Sequence, residues 1–122
     1  MEGFSTITYK DKSFFYVDYS GFGSDKEKAM QLIKGCTVEY MTHPKNSVVA
    51  LLNVSGLRFN TEILNTFKSE QEIAAPYEKK IAVTGLNTLQ RIAYNIIAGS
   101  ARNVFIRAFD SEEEAKEWLV SD

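Results

Sequence analysis

The chain has few of the residues from which catalytic and metal sites are usually built. Its 122 residues include one cysteine and one histidine. A single cysteine excludes an internal disulfide, and with a single histidine it excludes the usual zinc sets. Two prolines and seven glycines leave little punctuation for a linker or second unit. Positive charge is not in excess, since 14 Lys and Arg face 16 Asp and Glu for a net charge of −2. That balance argues against general nucleic-acid binding. The longest unbroken apolar run, Val48 to Leu52, is far short of the roughly 20 residues of a membrane-spanning helix, so integral membrane association is not expected. Met1-Glu2-Gly3-Phe4-Ser5-Thr6 lacks a basic region followed by an apolar core, so no secretory signal is expected. Asn53-Val54-Ser55 fits the N-glycosylation pattern, but without such a signal it reads as chance. The lone Cys36 suits a reducing cytoplasm.

What is present is the composition of a soluble globule: 44% hydrophobic, 25% charged and 12% aromatic residues. The length fits a single domain over 1–122 that buries roughly two-thirds of its unfolded surface. Ile7 and Tyr9 alternate with polar neighbours, Lys10-Asp11-Lys12-Ser13 is a polar turn, and Phe14 to Tyr19 is aromatic and β-branched; together they predict a hairpin. Ser20-Gly21-Phe22-Gly23 breaks it. Ser24-Asp25-Lys26-Glu27 has capping-box spacing, with Ser24 expected as the cap. Ala29, Ile33, Cys36 and Tyr40 then recur at helical spacing, weakened at Gly35 and stopped by Pro44.

Ser47 to Val54 reads as a strand covered on both faces. After the loop Ser55 to Phe59, Asn60 or Thr61 can cap a helix carrying Ile63, Leu64, Phe67 and Ala74. Ile81 to Thr84 is a further strand. Leu86, Leu89, Ala93, Ile96 and Ile97 mark a helix ending at Gly99, and Val104 to Phe109 is the last strand. Asp110 with Glu113, or Ser111 with Glu114, can cap a final helix with Ala115, Trp118 and Leu119 on its apolar face. The order β-β-α-β-α-β-α-β-α implies a mixed, mainly parallel α/β sheet of about five strands, with right-handed crossovers and about four helices.

This order resembles the STAS domain, and more closely its SpoIIAA-like branch, from about Thr6 to Val120. Three stretches carry the resemblance: Val48 to Gly56, Ile81 to Leu86 leading into a helix, and Phe109 to Leu119, where a strand turns into an acidic helix with a Trp-Leu pair. The resemblance implies a non-enzymatic regulatory module that binds a protein partner, with a homodimer left open. The SpoIIAA-like branch also implies, as the alternative, a carrier or sensor of a small apolar or lipid-like ligand. In the anti-anti-sigma members of the family, a serine at the start of the helix after the third strand, within a Phe-x-Asp-Ser-Ser-Gly type pattern, is phosphorylated. The corresponding Phe59-Asn60-Thr61-Glu62-Ile63 departs from it at the acceptor and lacks the glycine, leaving Thr61 as the candidate phosphoacceptor.

No catalytic residue, metal site or cofactor is expected. His43 beside Pro44 reads as a helix-end surface residue rather than a general base, and Cys36 at an apolar helix position as a core thiol. Glu112-Glu113-Glu114 cannot converge on one ion, because consecutive helix residues point about 100° apart; acids in a first turn suit the helix dipole. Thr84-Gly85-Leu86-Asn87-Thr88, at a strand-to-helix junction, suits either an anion or a simple Asn87 cap. Phe14, Phe15, Tyr16 and Tyr19 either line a pocket or pack under helices.

In open α/β sheets ligands gather at the carboxyl ends of the strands. The working surface is therefore expected on two adjacent loops, Ser55, Gly56, Arg58, Asn60 and Thr61 on one and Gly85, Asn87 and Thr88 on the other. Arg58 would orient an acidic group, while Leu57 and Phe59 would receive an apolar portion or belong to the core. A carrier should show an enclosed cavity of about 300 Å³ or more. A partner-binding module should show an exposed apolar patch on a helix.

Overall fold

A computed structural model of the chain describes residues 1–99 and 105–121. Strands β1 (Phe4–Tyr9) and β2 (Lys12–Asp18) form the expected hairpin, followed by α1 (Lys26–Tyr40), β3 (Val48–Asn53) and α2 (Thr61–Ala74). A short 3₁₀ turn, Ala75–Tyr77, leads into β4 (Glu78–Thr84), α3 (Thr88–Gly99), β5 (Phe105–Phe109) and α4 (Glu112–Val120). Val104, expected in the last strand, lies outside the described residues, as do the side chains of Leu89, Ala93, Ile96 and Ile97.

The five strands pair in chain order, β1 antiparallel to β2 and every later pair parallel. This order determines where the helices go. Crossovers of constant hand that always step in one direction place their helices on one face. The larger core accordingly joins Ala29, Leu32, Ile33, Cys36 and Tyr40 of α1 and Ile63 and Ala74 of α2 to Val17, Ala50, Ile81 and Val83 of the sheet. The opposite face is left to α4, whose Ala115 and Leu119 pack on Phe14, Leu51 and Ala82. The central strands are thus covered on both sides, as the run at 48–52 predicts.

The elements differ from expectation in three places. The cap of α1 is Asp25, which accepts from the Lys28 amide at 3.2 Å, and not Ser24. The Asp25 amide already bonds Phe22 O at 2.8 Å, so the chain enters the helix one residue later than the Ser24 box requires. Strand β4 starts at Glu78 rather than Ile81, taking in Lys79 and Lys80. The two-residue connection of the hairpin puts Lys10 and Asp11 at φ 51° and 64°, the left-handed pair of a type I′ turn. Asn60 caps α2, its Oδ1 accepting from the Ile63 amide at 2.8 Å. Ser111 caps α4, and Asp110 instead pairs with Arg91 at 2.8 Å.

Candidate functional site

The two loops expected to carry the working surface lie side by side. Asn53 and Thr84 are partners in the β3–β4 ladder, and the Val54 amide donates to Thr84 O at 3.0 Å. Beyond them the chains touch. Gly85 has φ +87°, and a Cβ there would sit 2.6 Å from the Ser55 backbone nitrogen. Only glycine allows so close an approach in this conformation. Gly56, at φ +74°, turns the first loop, with the Leu57 amide returning to Val54 O at 3.1 Å.

Gln90, absent from the expected site, fastens the two loops together. Its Nε2 donates to Leu57 O at 2.6 Å, and the residue is 6% exposed. Asn87 and Gln90 also form a reciprocal cap, Gln90 N to Asn87 Oδ1 at 2.8 Å and Asn87 N to Gln90 Oε1 at 2.9 Å. The Asn87-x-x-Gln90 spacing is a capping-box signal visible in the sequence. Because these side chains satisfy amides at the start of α3, Asn87 acts as a helix cap here.

The expected residues divide into two groups. Arg58, Asn60, Thr61, Asn87, Thr88 and Ser55 are exposed at the sheet's carboxyl edge, with Gly56 among them. Leu57 is not available there. It is 2% exposed and belongs to the main core, so its side chain offers no receiving surface. Phe59 is half-buried, with its ring 6.0 Å from that of Phe67. With Leu52, Val54, Val83 and Leu86 it lines an apolar hollow of about 70 Å³. That is well below the roughly 300 Å³ of a small-molecule site. The Arg58 backbone is held by Gly23 O at 2.9 Å, while its guanidinium has no partner among the described residues.

A polar network extends the same edge onto the α4 side. Tyr16 Oη donates to Glu112 at 2.7 Å, and Asn53 Nδ2 reaches both Tyr16 Oη and Glu112 at 3.3 Å. Burial, with the Glu112 carboxylate next in weight, pushes the Tyr16 hydroxyl up to about 12. The other aromatics singled out in the sequence are packing residues: Phe14 lies in the α4-side core, Phe15 lies 5.0 Å from Phe4, and Tyr19 sits within the main core.

The remaining candidates do not converge. Burial raises the Cys36 thiol to about 12, so it is neutral at ordinary pH. The His43 ring meets Phe15 edge-on at 5.2 Å, with Nε2 3.6 Å from Glu39. Glu112 turns to Tyr16, Glu113 to Lys116 at 3.9 Å and Glu114 to Ser111 at 3.2 Å, so the three acids serve separate partners. Among the described residues no three His, Cys, Asp or Glu side chains gather as metal ligands, and no helix is long and apolar enough to cross a membrane. Exposed apolar surface on a helix does occur, at Val38 and Met41 near the end of α1.

No family model and no curated protein matches the chain. A solved structure does: an uncharacterized protein of the DUF3478 family with a SpoIIAA-like fold, from Shewanella loihica PV-4. The two superpose with a TM-score of 0.66, over 95% of this chain and 91% of the other, at 15% sequence identity. The fold is SpoIIAA-like. The α/β sandwich expected from the sequence resemblance, with its mixed sheet and N-terminal hairpin, is the observed one. Within the SpoIIAA-like frame, Phe59 to Ile63 spans the entry to α2, with Thr61 exposed as its first residue.

Proposed function

We propose that this chain is a STAS-like binding module, without chemistry of its own, that acts by gripping a protein partner at the carboxyl edge of its sheet. The observation that carries this reading is Arg58. It is an exposed guanidinium without a partner among the described residues, on a loop pinned at both ends. A rigid loop offers a cation at low ordering cost, which favours recognition of an acidic group. Asn60 and Thr61, further along the same stretch, and Thr88 on the neighbouring loop are exposed and add hydrogen-bonding groups to that edge. The carrier reading draws less support, because the apolar hollow beneath Phe59 is small, and the roomier depressions of about 300 Å³ beside Lys79 and Lys80 and about 380 Å³ between Lys34 and Glu70 are open and rimmed by charged side chains. A cytoplasmic setting is supported by the free thiol of Cys36.

Site-specific photocrosslinking in the native cell tests the proposal, with the reactive group placed in turn at positions 55, 88, 38 and 12 and Arg58 kept intact. A discrete protein adduct from 55 and 88, lost on Arg58→Glu, supports the carboxyl edge. Adducts confined to 38, beside the exposed Val38–Met41 surface, or to 12 would move the partner to the other end of the sheet.

A further inference from the structure

The outer edge of β1 is unguarded. Sheet edges are usually blunted by lysine, proline or a bulge, because their free backbone groups template another strand. Phe4–Tyr9 contains neither charge nor proline, and its six residues pair with β2 in unbroken register. Asp18 N donates to Gly3 O at 2.7 Å, which marks Gly3 with Asp18 as a hydrogen-bonded pair. Antiparallel ladders alternate such pairs. Ser5, Ile7 and Tyr9 therefore bond inward to β2, and the amides and carbonyls of Thr6 and Thr8 face outward. Among the described residues no strand lies along them, since β1 ends the sheet. The Phe4 amide is taken by Met1 O at 3.2 Å.

We infer that this edge pairs with the same edge of a second copy, antiparallel about a two-fold axis at Thr6, to make one continuous sheet. The outward groups are self-complementary in that register. Each Thr6 amide meets the other copy's Thr6 carbonyl, and each Thr8 amide meets the other copy's Phe4 carbonyl. The half-buried Ile7 gains cover from the opposing Ser5, and the half-buried Phe4 from the opposing Thr8. The same register brings Glu2 of one copy near Lys10 of the other. Glu2 now pairs with Lys28 at 3.7 Å and Lys10 with Glu117 at 2.6 Å, both exposed and readily exchanged. The charge at the two ends of β1 thus favours the antiparallel self-pairing over a parallel one. Because β2 to β5 all run opposite to β1, the two carboxyl edges would point to opposite ends of the dimer, both open to partners. The inference is independent of the function proposed above.

Sedimentation equilibrium of the full chain over a concentration series tests it. The expected result is a reversible monomer–dimer equilibrium. Thr6→Lys, which sets two like charges at the axis, should weaken it about tenfold or more, and Thr8→Pro should do the same by deleting an outward donor that edge strands can spare. Glu2→Lys and Lys10→Glu should each weaken the dimer and together restore it. A monomer at every concentration up to about 1 mM, or a dimer indifferent to Thr6→Lys, overturns the inference. Circular dichroism of each variant checks folding; if Thr8→Pro fails to fold, Thr6→Lys decides alone.

Discussion

Gln71 and Glu78 meet inside the fold: Gln71 Nε2, in the last turn of α2, donates at 2.6 Å to the carboxylate of Glu78, the first residue of β4. Glu78 is 4% exposed. Burial pushes its carboxyl up to about 7, against a smaller opposing effect of the Gln71 hydrogen bond. The native state therefore holds this proton more tightly than the unfolded chain does. The associated stability is fully present below the ordinary glutamate range near 4.5 and is lost as pH rises through about 7. An upper figure for the loss is roughly 3 kcal/mol. Glu78→Gln keeps the hydrogen bond and removes the titration. Urea midpoints measured from pH 5 to 8 should show the variant gaining on the parent as pH rises. A constant gap between the two would exclude Glu78 as the titrating group.

The contact of Gly85 with Ser55 makes a second prediction, with Gly56 as its control. Both glycines have positive φ, but a Cβ at Gly56 finds nothing nearer than Ser20 O at 3.9 Å, whereas one at Gly85 strikes the Ser55 backbone. Gly56→Ala should cost about 1 kcal/mol, the left-handed penalty alone. Gly85→Ala should cost roughly 2–4 kcal/mol, because the clash adds to that penalty. Thermal or urea unfolding of the two variants gives the comparison, and equal losses would mean that the loops are not held as close as described.

The parts of this fold that were legible in the sequence are those governed by local periodicity. Ala29, Ile33, Cys36 and Tyr40 are all buried, and the apolar run at 48–52 is a central strand. What escaped depends on residues distant in sequence. Glu78-Lys79-Lys80 looks like a polar loop. Yet Lys80 runs its stem past Trp118, with its ammonium 5.3 Å from the ring, and ends on Trp118 O, 38 residues away. A charged residue that crosses a sheet face and caps another helix has no local signature. Leu57, in a stretch of loop, is core because the Gly56 turn folds it back under Val54 and Gln90 holds its carbonyl. Gln90 itself had a local signal, the cap spacing from Asn87, whose second partner in the other loop only the fold could supply.

Helix caps give a sharp test where neighbouring residues compete for one role. Asp25→Ala and Asn60→Ala each remove the oxygen that accepts a helix amide, from Lys28 and Ile63 respectively. Each should cost about 1 kcal/mol. Ser24→Ala and Thr61→Ala remove no cap and should stay within about 0.5 kcal/mol. Chemical denaturation of the four single variants measures this. A loss at Ser24 larger than at Asp25 would restore the earlier helix start.

The turn of the N-terminal hairpin is the site most open to stabilisation. Lys10 and Asp11 occupy the two left-handed positions of a type I′ turn, which asparagine and glycine prefer. A side chain such as lysine there costs roughly 1–2 kcal/mol relative to glycine. The Lys10–Glu117 pair at 2.6 Å offsets little of this, since both partners are largely exposed. Lys10→Asn with Asp11→Gly should therefore raise stability by about 1 kcal/mol or more, although it deletes an ion pair. The gain should also appear as slower hydrogen exchange at Ser5 and Ile7, whose inward amides depend on the hairpin register. A net loss on the double substitution would mean that the Lys10 contact with Glu117, together with the bond from Tyr9 Oη to the same carboxylate at 2.6 Å, outweighs the strain of the turn. The hairpin would then be held by α4 rather than by its own backbone.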